Sequence, residues 1–150
     1  VSDWQFDMTA RKFEIGGTAN YPGAVALGES LALVNEIGIE NIQARVAELS
    51  AYCMEQLESI GATIITHKDP GRRAGIVIAR IFEDLDTERA ILRQLHARKI
   101  FVAHRFTDYV GGFRISCQYF NNHQDIDNLV SALKALIKEV GRQPDYQRPW

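Results

Sequence analysis

The apolar positions of this chain change period several times, and each change marks an element. From Val25 to Ile37 they are dense (Val25, Leu27, Leu31, Leu33, Val34, Ile37) and predict a mostly apolar helix. Pro22 suits its start and Gly38 its end, while Gly28 lies inside it at some cost in helix propensity. Ile42, Val46, Leu49, Cys53, Leu57 and Ile60 then recur every three or four residues, the stripe of an amphipathic helix over about 41–59. Glu40, Arg45, Glu48 and Glu55 take its polar side, and Gly61 ends it. The period falls to that of strands over Ala62–His67 and Gly75–Phe82, both rich in β-branched residues. The polar turn Lys68–Arg73 between them predicts a hairpin.

A helix over Glu88–Arg98 follows, capped by Thr87, with Ala90, Ile91, Leu92 and Leu95 inward. Ile100–Ala103 reads as a short strand and His104–Tyr109 as a polar, aromatic loop. A glycine pair, Gly111-Gly112, opens the next strand. There Phe113, Ile115 and Cys117 fall on one side and Arg114 and Ser116 on the other, because side chains alternate with period two. Asn121-Asn122 breaks that strand. Asn122 caps a last helix over about 124–140, with Asp125 in its first turn, where the helix dipole favours negative charge. Ile126, Leu129, Val130, Leu133, Leu136, Ile137 and Val140 form its stripe, and Gly141 stops it. Val1–Asn20 has no sustained period; Trp4, Phe6, Met8 and Phe13 are scattered anchors. The organisation expected is an arm over 1–20, one α+β domain over 21–141 and a tail over 142–150. Its sheet is mainly antiparallel, of about four strands, with helices packed on one face.

Composition changes this picture little. The 150 residues are 46% hydrophobic and 24% charged, as in ordinary globular domains. A net charge of −2 gives no general pull toward nucleic acid or anionic lipid. No apolar run approaches the roughly 20 residues that span a bilayer, and the first residues lack the plan of a signal peptide. The absence of an initiator Met fits a processed or excised piece as well as a trimmed one. Cys53 and Cys117 have no metal-ligand spacing; both lie on apolar faces and read as reduced, buried thiols of a cytoplasmic protein.

Few residues stand out chemically. Arg114, centred in a strand away from its apolar neighbours, wants an anionic partner or water. Gly16-Gly17-Thr18 offers accessible backbone N–H groups and a hydroxyl, a combination that binds phosphate but also makes an ordinary turn. Arg72-Arg73 can hold an anion, although a solvated loop tip explains the pair better. His104 with Asp108 as its orienter is a catalytic possibility, but no nucleophile accompanies them and solvated loop residues are the simpler reading. On these residues alone, a stand-alone α+β module that binds a small ligand or a protein through its Arg114 face stays open.

Two segments carry a resemblance. FRISCQYFNNHQDID, from Phe113 to Asp127, resembles the segment near the C-terminus of class V aminotransferase-like enzymes. RKFEIGGTAN, from Arg11 to Asn20, is similar to the same family's Arg-Phe-Glu-x-Gly-Thr-x-Asn segment. These fold type I pyridoxal-phosphate enzymes include cysteine desulfurases and isopenicillin-N-epimerase-like proteins. The resemblance covers nearly the whole chain, but only the C-terminal, small-domain portion of such an enzyme. It implies that Arg114 binds the carboxylate of an amino-acid substrate, and that Gly17-Thr18 reaches the cofactor phosphate of the neighbouring subunit in a homodimer. Asn20, His104 and Arg105 are further binding candidates, and Asn121 matches a structural asparagine. Phe120 stands where the family has tyrosine, and one extra residue precedes Thr18.

The family's Schiff-base lysine belongs to its large domain. None of the five lysines here (Lys12, Lys68, Lys99, Lys134, Lys138) sits in a matching context. The expectation is a chain with no catalytic residue and no metal, inactive alone, that needs a large pyridoxal-phosphate-binding domain as partner. The mobile cysteine of desulfurases also has no counterpart in His104–Gly112. An aminotransferase-like or epimerase-like parent is therefore expected over a desulfurase.

Overall fold

The computed structural model describes residues 8–10 and 19–148. The chain divides into two compact units, Val1–Ile37 and Gly38–Trp150. In the first, helix α1 spans Tyr21–Ile37. Asn20 starts it: its Oδ1 accepts the Gly23 N–H at 3.0 Å. None of α1's residues is buried, and Val25, Leu27, Leu31 and Leu33 are all exposed.

The second unit holds helix α2 (Ile39–Ser59), strands β1 (Thr63–Ile64) and β2 (Ile76–Arg80), and helix α3 (Leu85–Ala97). Strands β3 (Ala103–Thr107) and β4 (Val110–Ser116) and helix α4 (His123–Val140) follow. The four strands form one antiparallel sheet in the order β1-β2-β4-β3. The expected α+β class holds. Leu49, Cys53 and Leu57 of α2, Ile91 and Leu95 of α3 and Leu129 and Leu133 of α4 meet the inward residues Val77, Ala79, Phe113 and Ile115 in one core. The alternation on β4 is as expected: Phe113 and Ile115 are buried, Arg114 is half-buried and Ser116 exposed.

The start of α4 follows the sequence closely. Asn122 Oδ1 accepts the Asp125 N–H at 3.0 Å, and Asp125 Oδ2 accepts the Asn122 N–H at 3.1 Å. This reciprocal box satisfies two otherwise unpaired donors. Gly141, at φ 74, closes the other end. Asn122→Ala is expected to cost about 1 kcal/mol of stability, read as a lower urea midpoint at unchanged slope; an unchanged midpoint contradicts the capping role.

Local departures from the sequence reading have clear causes. Strand β1 is two residues long, not six, because Ile65 and Thr66 both donate to the Ile78 carbonyl and the Thr66 hydroxyl accepts the Ile78 N–H at 2.7 Å. A side chain thus replaces the next rung of the ladder. Helix α3 begins three residues early. Asp84 caps it by accepting from Asp86 N and Thr87 N, and the Thr87 hydroxyl donates to Asp84 instead of acting as the cap.

The largest departure lies between Ile100 and Tyr109. The strand starts at Ala103, and most of the expected loop is β3 itself, paired with β4 from Ala103↔Arg114 to Thr107↔Val110. Asp108 and Tyr109, at φ 47 and 66, make the two-residue turn, the geometry hairpins favour. Gly111 is obligatory here, since a Cβ would collide with the Arg105 carbonyl oxygen across the pair. The end of the chain folds back on the sheet: Asp145 N and Tyr146 N donate to the Ile81 carbonyl, and the Thr63 hydroxyl donates to the Tyr146 carbonyl.

Candidate functional site

Arg114 occupies the middle of β4, with Ile78 of β2 on one side and Ala103 of β3 on the other. Gly112 and Ser116 share its face of the strand, so nothing bulky on β4 flanks it there. It lines a hollow of about 730 Å³ bounded by the end of β4, the Lys99–Ala103 segment and the first turns of α4. Ser116, Lys99 and Asn128 contribute polar groups, while Ile126 and Leu129 contribute apolar wall.

The electrostatics of the hollow favour an anion. Among the described residues Asp125 is its one acid, and one carboxylate oxygen, Oδ2, accepts from the Asn122 N–H and from Asn121 Nδ2, each at 3.1 Å. Against that single carboxylate the described lining sets two cations, Lys99 and Arg114. Other arginines of the described residues are neutralised: Arg45 by Glu48, Arg80 by Glu88, Arg89 by Asp86, Arg98 by Glu139 and Arg142 by Asp84. Arg72, Arg93 and Arg105 lack such partners but are exposed to water, Arg148 donates to the Ile65 carbonyl at 3.3 Å, and Arg73 is half-buried against the Met54 sulfur. Arg114 is half-buried, and no described residue gives its guanidinium an ion pair or hydrogen bond. A planar fork of donors in that position suits a carboxylate, which it can hold through two parallel bonds.

The other candidates are dispersed. Asn20 caps α1. Arg105 is exposed on β3, opposite Gly112. Gly17 and Thr18 lie outside the described residues. His104 is not a loop residue: its Nε2 lies 2.8 Å from Glu88 Oε2, its ring rests against Phe106 and Phe113, and Asp108 sits in the turn beyond.

Glu88 is the residue that pattern reading missed. It is wholly buried, and Oε1 accepts the N–H groups of Ile81 at 2.7 Å and Phe82 at 3.1 Å. Its Oε2 meets Arg80 Nε at 2.8 Å. That contact is an ion pair without hydrogen-bond alignment, since Arg80 Nε has no acceptor in line. Arg80 Nη2 donates to the carbonyls of Phe82 at 2.7 Å and Glu83 at 3.1 Å, and its guanidinium lies over the Tyr146 ring at 4.2 Å. This cluster ties α3, β2 and β3 together beside the hairpin that carries Arg114. The core holds a second close pair: Cys53 and Cys117 are both free and buried, and the hydrogen bond to Cys117, then burial, push the Cys53 thiol up.

Comparison with known proteins gives a consistent picture. The family model described as Aminotransferase class-V matches residues 1–129. A protein of Xylella fastidiosa named "Probable cysteine desulfurase" is 30% identical over 144 residues, which are 91% of this chain and 34% of that protein. Among solved structures, a cysteine desulfurase from Thermococcus onnurineus superposes with a TM-score of 0.74 at 18% identity, over 87% of this chain and 34% of that one. An alanine–glyoxylate aminotransferase from Nostoc sp. does so with a TM-score of 0.68 at 24% identity, over 86% and 34%. The chain thus spans about a third of the length of the relatives it matches.

Proposed function

The chain belongs to the class-V aminotransferase family, whose cofactor is pyridoxal phosphate, and we propose that it is the small domain of such an enzyme, in which Arg114 takes the carboxylate of an amino-acid substrate. The observation that carries this reading is the half-buried guanidinium beside the hollow, which has no partner among the described residues. Partial removal of a cation from water is costly unless a counter-charge meets it. An amino-acid carboxylate offsets that cost, and the mixed polar and apolar lining accommodates the rest of a small zwitterion.

The described residues do not by themselves fit the cofactor. Its phosphate contact is proposed to come from Gly17-Thr18, across a homodimer, and those residues lie outside the described part. Of the described lysines, Lys99 alone lines the hollow; it is exposed, in a left-handed conformation just past α3. No step is assigned to the cofactor in this chain. The reading therefore requires a large domain that supplies the lysine, and gives the isolated chain no activity.

The hairpin bears on the type of reaction. The link between β3 and β4 is Asp108-Tyr109, and both cysteines are in the core. Neither arrangement presents a thiol to substrate, which supports an aminotransferase-like or epimerase-like reaction over desulfuration. Free, buried thiols also suit a reducing compartment such as the cytoplasm. Among the described residues no helix is long and apolar enough to cross a membrane.

Borohydride reduction of the 150-residue chain with excess pyridoxal phosphate, followed by intact mass and peptide mapping, tests the division of labour. The expected result is scattered, substoichiometric labelling. A one-to-one adduct on a single lysine, Lys99 included, overturns it.

A further inference from the structure

Arg73 is the other half-buried arginine without a charged partner among the described residues. Its Nη1 points at the Met54 thioether at 3.4 Å, a weak acceptor, and its Nε is buried with no acceptor among the described residues. Asp69, in the same turn, does not serve it, because Asp69 Oδ1 accepts the Gly71 N–H at 2.9 Å. Arg73 Nε is too deep for an outside group to reach, but Nη2 is not shut off in this way and has no partner among the described residues. An outside acceptor that reaches Nη2 therefore offsets part of the cost of holding this cation half out of water.

Arg73 borders a hollow of about 370 Å³ between the first half of α2 and the 70–74 turn. Ile39, Ile42 and Val46 form its apolar wall, Gln43 and Ser50 add polar groups, and none of its lining residues is acidic. The Ser50 hydroxyl is donated to the Ala47 carbonyl, which leaves Arg73 as the charged donor. The hollow lies at the positive end of a 21-residue helix whose N-cap, Gly38, brings no side chain to that end, although Glu40 in the first turn offsets part of the dipole. It shares no residue with the hollow at Arg114.

We infer that this second hollow binds a small monocarboxylate with a short apolar body, its carboxylate on the Arg73 guanidinium and its hydrocarbon against Ile39, Ile42 and Val46. Charge and shape each select part of that ligand. A bare inorganic anion leaves the apolar wall unfilled, and a neutral alkane-like molecule leaves Arg73 unpaired. The volume is at the small end of ligand sites, which suits a short acyl or aryl carboxylate.

The test is a titration of the isotopically labelled 150-residue chain with hexanoate, followed by amide NMR. Saturable shifts are expected at Gln43, Val46, Arg73 and Ala74. Hexanol, which lacks the carboxylate, and inorganic phosphate, which lacks the chain, are each expected to bind about tenfold more weakly or worse. Arg73→Gln is expected to weaken hexanoate by a similar factor. Ile42→Trp, which fills the hollow and leaves Arg73 in place, is expected to abolish the shifts and thus guards against an effect of Arg73→Gln on folding. Shifts that do not saturate, that centre on Arg72 or Arg114, that hexanol reproduces, or that survive either substitution overturn the inference.

Discussion

Glu88→Ala is expected to remove about 3 to 5 kcal/mol from the stability of the chain, the range for breaking a buried ion pair by deleting one partner. Glu88 has no exposed surface and Arg80 only 4%. The substitution leaves the Arg80 charge in the core beside Phe82 and Tyr146 with no counter-ion. It also strips the Ile81 and Phe82 N–H groups of the oxygen they share. His104 loses its partner at the same time. Each of these is a separate desolvation cost, and a domain of this size holds only about 5 to 15 kcal/mol in total. Glu88→Gln keeps the shape and one acceptor oxygen but not the charge, so its loss is smaller. Urea unfolding of the three proteins, followed by far-ultraviolet circular dichroism, measures the series. A loss for Glu88→Ala of about 1 kcal/mol or less, the ordinary cost of a point substitution, contradicts the description of this cluster.

The sequence made the local features readable and concealed those that depend on distant partners. Asn122 and Asp125 satisfy each other within one turn, so both ends of α4 could be placed from residue types alone. The alternation around Arg114 was equally plain, because each β4 residue's face follows from its neighbours. Glu88 gave no sign of its role. A glutamate in the first turn of a helix is already explained by the helix dipole, and Arg80 and His104 lie eight and sixteen positions away on two strands. The β3–β4 turn was hidden for another reason. Asp108-Tyr109 adopts the left-handed conformations that Asn-Gly usually signals, and Tyr109 is a poor advertisement for them. Gly111-Gly112 held the clue: a glycine that a side chain cannot replace marks the close approach of another backbone, here that of β3. That Arg114 lacks a partner among the described residues could not be read either, since it depends on which acids the fold brings near. Asp125 lines the same hollow without pairing with Arg114, and its Oδ2 is bonded within the α4 cap.

Replacing Arg114 is expected to have the largest effect on function. In a protein that joins this chain to a lysine-bearing large domain, Arg114→Lys keeps a positive charge but loses the two-pronged geometry that matches a carboxylate. Loss of that charge-assisted contact should cost about 1.5 to 3 kcal/mol of substrate binding, roughly a 10- to 150-fold fall in kcat/KM. Arg114→Ala loses charge and geometry together and should fall further. Folding should hardly change, because the side chain makes no bond within the described residues. Cofactor affinity should also survive, since the proposed phosphate contact is Gly17-Thr18 and the lysine belongs to the other domain. The most direct measurement is steady-state kinetics of wild type, Arg114→Lys and Arg114→Ala with an amino-acid substrate, beside a cofactor titration of each. The predicted result is a stepwise loss of kcat/KM at constant cofactor affinity; wild-type kcat/KM in both variants would contradict the assignment of Arg114 to the substrate carboxylate.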